Sequence, residues 1–147
     1  MNISPYLTKE HRDCDIEFAK AEELASKGDM EGAKEAFEKF AHDTLLHFKK
    51  EEDELFKEFE AVTGSSDGPT MVMRYEHEQV RGLIDRMKSA LDEKDNNKFL
   101  SMCESLMILL QQHNMKEEQM LYAMCDNLFP PQKRDEVISK MEEVKLD

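Results

Sequence analysis

The sequence predicts an all-α protein, an up-down antiparallel four-helix bundle built from two αα-hairpins with a short helix added at the C-terminal end. Three observations lead there. Turn formers are scarce, with five Gly and four Pro in 147 residues, while Glu, Lys, Ala, Leu and Met are abundant. An internal repeat with an offset of 66 residues, seen between positions 11 and 77 and between 47 and 113, divides the chain into two like halves. Apolar residues recur at helical spacing within each half. Residues 1–147 are expected to form one domain, a length that can bury a real core.

The first helix is expected to start at Ser4-Pro5, with Ser as N-cap and Pro at the first helical position, and to run to about Lys27 before Gly28. Asp29 can cap the second, which extends to about Val62. Thr63-Gly64-Ser65-Ser66-Asp67-Gly68-Pro69 is the clearest loop. A third helix spans about Thr70 to Glu93, and Asp95-Asn96-Asn97 marks a turn. The fourth runs from about Asn97 to Phe129. Pro130-Pro131 ends it and starts a short fifth helix whose apolar side is Val137, Ile138, Met141 and Val144. The repeat maps helix one onto three and two onto four, and the short turns within each hairpin favour antiparallel neighbours.

Composition excludes several functions. A net charge of −13 argues against a nucleic-acid backbone as partner and suits a chain that holds cations. No apolar run approaches a membrane span, and the polar N-terminus does not resemble a signal peptide. Three cysteines without CxxC spacing fit a reducing compartment, so a cytoplasmic location is expected. Trp is absent, and eleven Met supply pliable core filler.

The repeat contains a motif. His47-Phe48-Lys49-Lys50-Glu51-Glu52-Asp53-Glu54-Leu55-Phe56 and His113-Asn114-Met115-Lys116-Glu117-Glu118-Gln119-Met120-Leu121-Tyr122 both read His-x-x-Lys-Glu-Glu-x-x-Leu-aromatic. Glu10-His11 and Glu76-His77 repeat with the same offset. At about 100° per residue, Glu51 shares a face with His47, Thr44, Phe40, Phe37 and Leu55. The matching face of the fourth helix carries Phe99, Cys103, Leu106, Leu110, His113, Glu117, Leu121, Met124 and Leu128. His11 lies with Leu7, Cys14 and Phe18, and His77 with Met73, Val80 and Ile84.

One inward His is ordinarily a hydrogen-bonded core residue. Four of them, one per helix, together with two inward Glu, require more, because unpaired buried carboxylates cost several kcal/mol each. A polyvalent cation removes that penalty. The expected metal ligands are His11, His47, Glu51, His77, His113 and Glu117. His42 lies about 180° from Glu51 and should face solvent. Glu52 and Glu118 border the site or are solvated. Asp15 and its repeat counterpart Arg81 share the faces of His11 and His77; they can pair across the bundle or orient an imidazole, with direct ligation by Asp15 the lesser reading. Cys103 and Cys125 have no metal-like placement, and Cys14 lies on the flank. Leu46, Phe56 and Ile108 point outward and could meet a partner, the fifth helix or a second copy, so monomer and homodimer both stay open.

Four imidazoles and two carboxylates are too many for one tetrahedral zinc and too rich in nitrogen for calcium or magnesium. Two ions bridged by both Glu, with two His each, is the economical arrangement. The donor set suits iron, with manganese or zinc as competitors. An oxo or hydroxo bridge and an exogenous molecule would fill the remaining positions. Open positions on a redox-active pair imply reactivity toward O2, NO or peroxide.

His11, His47-x-x-x-Glu51, Glu76-His77 and His113-x-x-x-Glu117 resemble the hemerythrin-like, HHE cation-binding family over roughly Tyr6 to Phe129. The resemblance implies a four-helix bundle holding a non-haem di-iron centre on the six residues above. Oxygen-carrying members have a further His four residues before the third-helix His, where Met73 stands here, and use His-x-x-x-x-Asp on the last ligand helix, where this chain has His113-x-x-x-Glu117 followed by Glu118. The chain is more similar to members with paired His-x-x-x-Glu motifs, some of which act in iron–sulfur repair under nitrosative stress or in iron and oxygen sensing. The repair proteins usually carry an N-terminal cysteine-containing domain, whereas this sequence opens at the bundle. The expected function is therefore a di-iron protein that binds, senses or reacts with O2, NO or peroxide. The alternatives are a di-iron enzyme or iron donor in stress (peroxidase, NO reduction, cluster repair) and a non-redox cation-binding interaction module.

Overall fold

Helix α1 (Ile3–Ser26) begins slightly before the expected Ser4-Pro5 start. Its N-cap is Asn2, which makes no side-chain bond. The backbone N–H groups of Ile3 and Ser4 donate instead to the carboxylate of Asp126, at 2.7 and 3.1 Å. Two orphan donors of the first turn are thereby satisfied from the far end of the chain. These details come from a computed structural model, which describes residues 1–146.

Gly28 ends α1 in the left-handed region at φ +85, and Asp29 caps α2 (Met30–Lys50) by accepting from the Gly32 N–H at 2.9 Å. The second hairpin repeats this turn after α4 (Pro69–Asp92). There Lys94 takes the left-handed position at φ 58, and Asp95 accepts from the Lys98 N–H at 3.1 Å to start α5 (Asn96–Lys116). Gly64, at φ +74, closes α3 (Phe56–Thr63), the continuation of α2. α6 (Tyr122–Leu128) continues α5, and α7 (Pro131–Glu142) follows Pro130. Val144, expected on this last helix, lies beyond its end and is half-buried. No strand occurs among the described residues.

α1 packs on α2, α2 on α4, α4 on α5 and α5 back on α1, which closes the four-helix ring. One core cluster fills the end near the two hairpin turns, around Phe18, Phe37, Phe40, Phe99 and Leu106. A second fills the other end, around Leu7, Leu55, Phe56, Met73, Tyr122 and Phe129. α7 seals this second end with Val137, Ile138 and Met141. The four inward His and two inward Glu occupy the layer between the two clusters.

The long rods are not regular helices. A π turn (Glu51–Leu55) joins α2 to α3, and another (Glu117–Leu121) joins α5 to α6. In each, an N–H five residues on bonds back to the motif Glu, Phe56 to the Glu51 carbonyl and Tyr122 to the Glu117 carbonyl. Such a turn acts as a one-residue insertion, and it shifts the buried face of everything after it. Three sequence expectations fail for this reason. Met124 and Leu128 are exposed, while Cys125 and Phe129 take the core positions. Phe56, expected to point outward, is fully buried, because Glu51 and Phe56 would lie about 140° apart on a regular helix but share a face across a π turn. Of the other two residues expected outward, Ile108 is exposed and Leu46 half-buried.

Candidate metal centre

All six expected ligand residues are buried, and the bundle brings them together in two overlapping groups. One is His11, His47, Glu51 and Glu117; the other is Glu51, His77, His113 and Glu117. Within each group the candidate ligand atoms lie within 4.8 Å of one another. Each group has two imidazoles of its own, and both share the two carboxylates. Each group is thus drawn from three of the four rods of the ring, through one His from each of two helices and the two shared Glu.

The imidazoles are held by four further carboxylates, one for each Nδ1. Glu10 accepts from His47 at 2.8 Å, Glu118 from His11 at 2.7 Å, Glu52 from His77 at 2.6 Å and Glu76 from His113 at 2.9 Å. Such outer bonds fix the ring tautomer and leave Nε2 to face the centre. Basic residues hold the outer carboxylates in turn. Lys50 donates to Glu10 at 2.6 Å and Lys116 to Glu76 at 2.5 Å. Arg12 grips Glu118 at 2.6 and 2.8 Å, and Arg81 grips Glu52 at 2.9 and 3.0 Å. Every fixed charged residue of the motif now has a place: the Lys anchors the acid behind its own His, the first Glu faces the centre, and the second Glu supports a His from the opposite hairpin.

The expected Asp15–Arg81 pair does not form. Asp15 is exposed and accepts from Arg12 at 3.0 Å, while Arg81 pairs with Glu78 as well as Glu52. Each half contains an Arg–acid pair three residues apart, but in opposite order, so repeat position alone misassigns the partners. His42 is exposed and bonds only to its neighbour Asp43, as expected.

The inner atoms fit a cation. Nε2 of His77 and His113, Oε1 of Glu51 and Oε2 of Glu117 are all buried without a hydrogen-bond partner. Buried polar atoms in that state are costly, and imidazole nitrogen with carboxylate oxygen is a transition-metal donor set. Without an ion, charge balance falls to protons. Burial works against a charged His77, but Glu117, Glu51 and Glu52 outweigh it and raise its pKa to about 10. His47 is likewise raised well above the usual range against its own burial, chiefly by Glu51 and Glu10. Burial would push Glu117 up, yet His113, His11 and His47 hold it well below the carboxylate range. Glu52 falls to about 2 through His77 and Arg81 despite its burial.

Residues 2–125 match the model of the hemerythrin HHE cation-binding domain. The chain belongs to the hemerythrin HHE family. No curated protein matches it, and no solved structure does. Membership in the hemerythrin family and the buried His/Glu groups together make this a metal-ion-binding protein. No helix among the described residues is long and apolar enough to cross a membrane.

Two features of this hemerythrin-type centre escaped the sequence reading. Glu10 and Glu76 precede the single His of each half and repeat with it, so their spacing was visible, but their target, a His on the next helix, was not. In the sequence Tyr122 stands only as the aromatic that closes the second motif copy. It is fully buried, and its hydroxyl donates to Glu51 Oε2 at 2.5 Å. Beside His11 and His47 lies a cavity of about 20 Å³, bordered by Phe40, Phe48 and Leu110 and by the more polar Cys14, Thr44 and Asn114. Thr44 Oγ1 is buried there without a hydrogen-bond partner.

Proposed function

We propose that this chain holds two iron ions, one between His11 and His47 and one between His77 and His113, bridged by Glu51 and Glu117, and that the pair binds or reacts with O2, NO or peroxide. The observation that carries this is the inward convergence of four imidazoles on two shared carboxylates, with every Nδ1 tied to an outer acid. Manganese or zinc could compete for the same donors. Bound at such a site, iron supplies open coordination positions and a change of oxidation state.

The protein's own contribution is orientation and exclusion. The Lys and Arg residues pin the outer carboxylates, and these pin the rings. The two apolar clusters keep bulk water from both ends of the layer. The cavity beside His11 has room for about one water-sized molecule, a size closer to a small diatomic ligand than to an organic substrate. Two phenyl rings flank His77, Phe48 at 3.8 Å and Phe56 at 5.5 Å between ring centroids.

The test is to reduce iron-loaded protein anaerobically and add O2, NO and peroxide in turn while recording the optical spectrum. Binding or stoichiometric oxidation is expected with at least one of the three. Sustained turnover would favour the enzymatic alternative, and inertness toward all three would favour a non-redox cation-binding module.

A further inference from the structure

The two halves of the centre differ at the aromatic position that closes each copy of the motif. Phe56 and Tyr122 close the two copies of the motif, and each directly follows a π turn. Phe56 stacks on His77 at 5.5 Å between centroids with 24° between planes. Tyr122 stacks on His11 in nearly the same way, at 5.7 Å and 28°. The rings are therefore equivalent, and the difference is one hydroxyl.

That hydroxyl reaches all four residues of the first ligand group. Tyr122 Oη is 2.5 Å from Glu51 Oε2, 3.0 Å from Glu117 Oε1, 3.2 Å from His11 Nε2 and 3.4 Å from His47 Nε2. An ion with bonds near 2.1 Å separates neighbouring ligand atoms by about 3 Å. The phenol oxygen thus stands to the other four as one vertex of a coordination polyhedron stands to the rest. No hydroxyl can occupy the corresponding place in the second group, because Phe56 has none.

We propose that Tyr122 is a fifth protein ligand of the ion between His11 and His47, and that the ion between His77 and His113 has no such ligand. The inference rests on the di-metal reading above. As the oxygen–metal bond forms, the phenolic O–H bond breaks and its proton leaves to solvent. The phenolate donates an electron pair and no oxidation state changes. The Glu51 oxygen that accepted the phenol hydrogen bond is then free to ligate. The two ions become chemically distinct, the first with five protein ligands and the second with four.

The experiment uses the full chain loaded with Fe(III), with iron per chain counted first, followed by visible absorption and resonance Raman spectra of wild type and Tyr122→Phe. Wild type is expected to show a phenolate-to-iron charge-transfer band with enhanced tyrosine ring modes. The variant is expected to keep two irons per chain and lose both signals. The chain has three Tyr; Tyr75 is exposed, and the Tyr6 hydroxyl accepts from Lys50, so the signal is attributable to Tyr122. Two irons per chain without phenolate signals in wild type would overturn the proposal and leave the di-iron reading standing. Protein that takes up no iron would overturn both. The wild-type spectrum decides the matter even if the variant fails to fold, and the phenyl ring of Phe56 in the equivalent place indicates that it will fold.

Discussion

Lys50 Nζ lies 2.6 Å from Glu10 Oε2, while the other oxygen of Glu10 accepts from His47 Nδ1 at 2.8 Å. One motif lysine thus steers the histidine three residues before it through an acid on the neighbouring helix. Lys116, Glu76 and His113 repeat the arrangement. Removing the acid should leave the imidazole free to rotate. Glu10→Ala and Glu76→Ala are each expected to weaken metal binding by roughly 10- to 100-fold with the helical fold retained. Competition with a chelator of known affinity measures it.

The Glu117→Ala variant should lose metal from both positions, because that carboxylate belongs to both groups. Its thermal stability should then stop responding to added metal, since an ion stabilises only the state that binds it. His42→Ala, at an exposed position, should keep full metal content and the wild-type melting temperature within error. Metal loss in the His42 variant would refute the assigned facing of α2.

Protons and metal compete for the same nitrogens, which sets two opposite pH trends. His77 is raised from 6.5 to about 10 in the metal-free chain, and His47 is raised with it. Their protonation stabilises the metal-free fold fully below about pH 6.5, and that contribution fades as pH climbs through about 10. An ion needs the unprotonated nitrogen, so uptake releases protons and tightens as pH rises. Between about pH 6.5 and 9, denaturant midpoints of the metal-free protein should fall while the affinity for Zn²⁺ as probe ion rises. Parallel trends would contradict this account.

The phase shift after the second π turn predicts unequal costs for adjacent residues. Phe129→Ala should cost about 3–5 kcal/mol as a large buried ring is deleted. Leu128→Ala, exposed beside it, should stay within about 0.5 kcal/mol. Chemical denaturation of the two variants gives the comparison, and similar costs would contradict the shift.

Lys94 holds the left-handed position that Gly28 holds in the first hairpin. A side chain there costs about 1–2 kcal/mol, partly offset by the extra entropy that glycine gives the unfolded chain. Lys94→Gly should therefore stabilise the protein by about 0.5–1 kcal/mol, seen as a higher denaturant midpoint.

The bundle was legible in the sequence because its signals are local. Gly28, Asp29, Asp95 and Pro130-Pro131 mark the turns, and the apolar stripes mark the inner faces. His47 with Glu51, and His113 with Glu117, were legible as inward pairs because four residues span about one regular turn. Legibility failed beyond the π turns. Nothing in Glu51–Leu55 or Glu117–Leu121 announces an extra residue per turn, so the expected faces drifted and Phe56, Met124 and Leu128 were misassigned. It also failed for contacts between helices. Asp15 and Arg81 share a repeat position, yet Arg81 pairs with Glu52, which only the packed bundle brings near, while Asp15 pairs within its own helix with Arg12.

The central claim is that the shared carboxylates Glu51 and Glu117 and the four imidazoles hold two ions, with two histidines for each. Native mass spectrometry of the chain, isolated without added metal or chelator, tests this most directly because it counts and identifies bound ions on the folded protein. The account predicts the mass of the chain plus two irons, falling to the bare chain in Glu117→Ala. A folded chain carrying one zinc, or the same two irons on the Glu117→Ala variant, would contradict it.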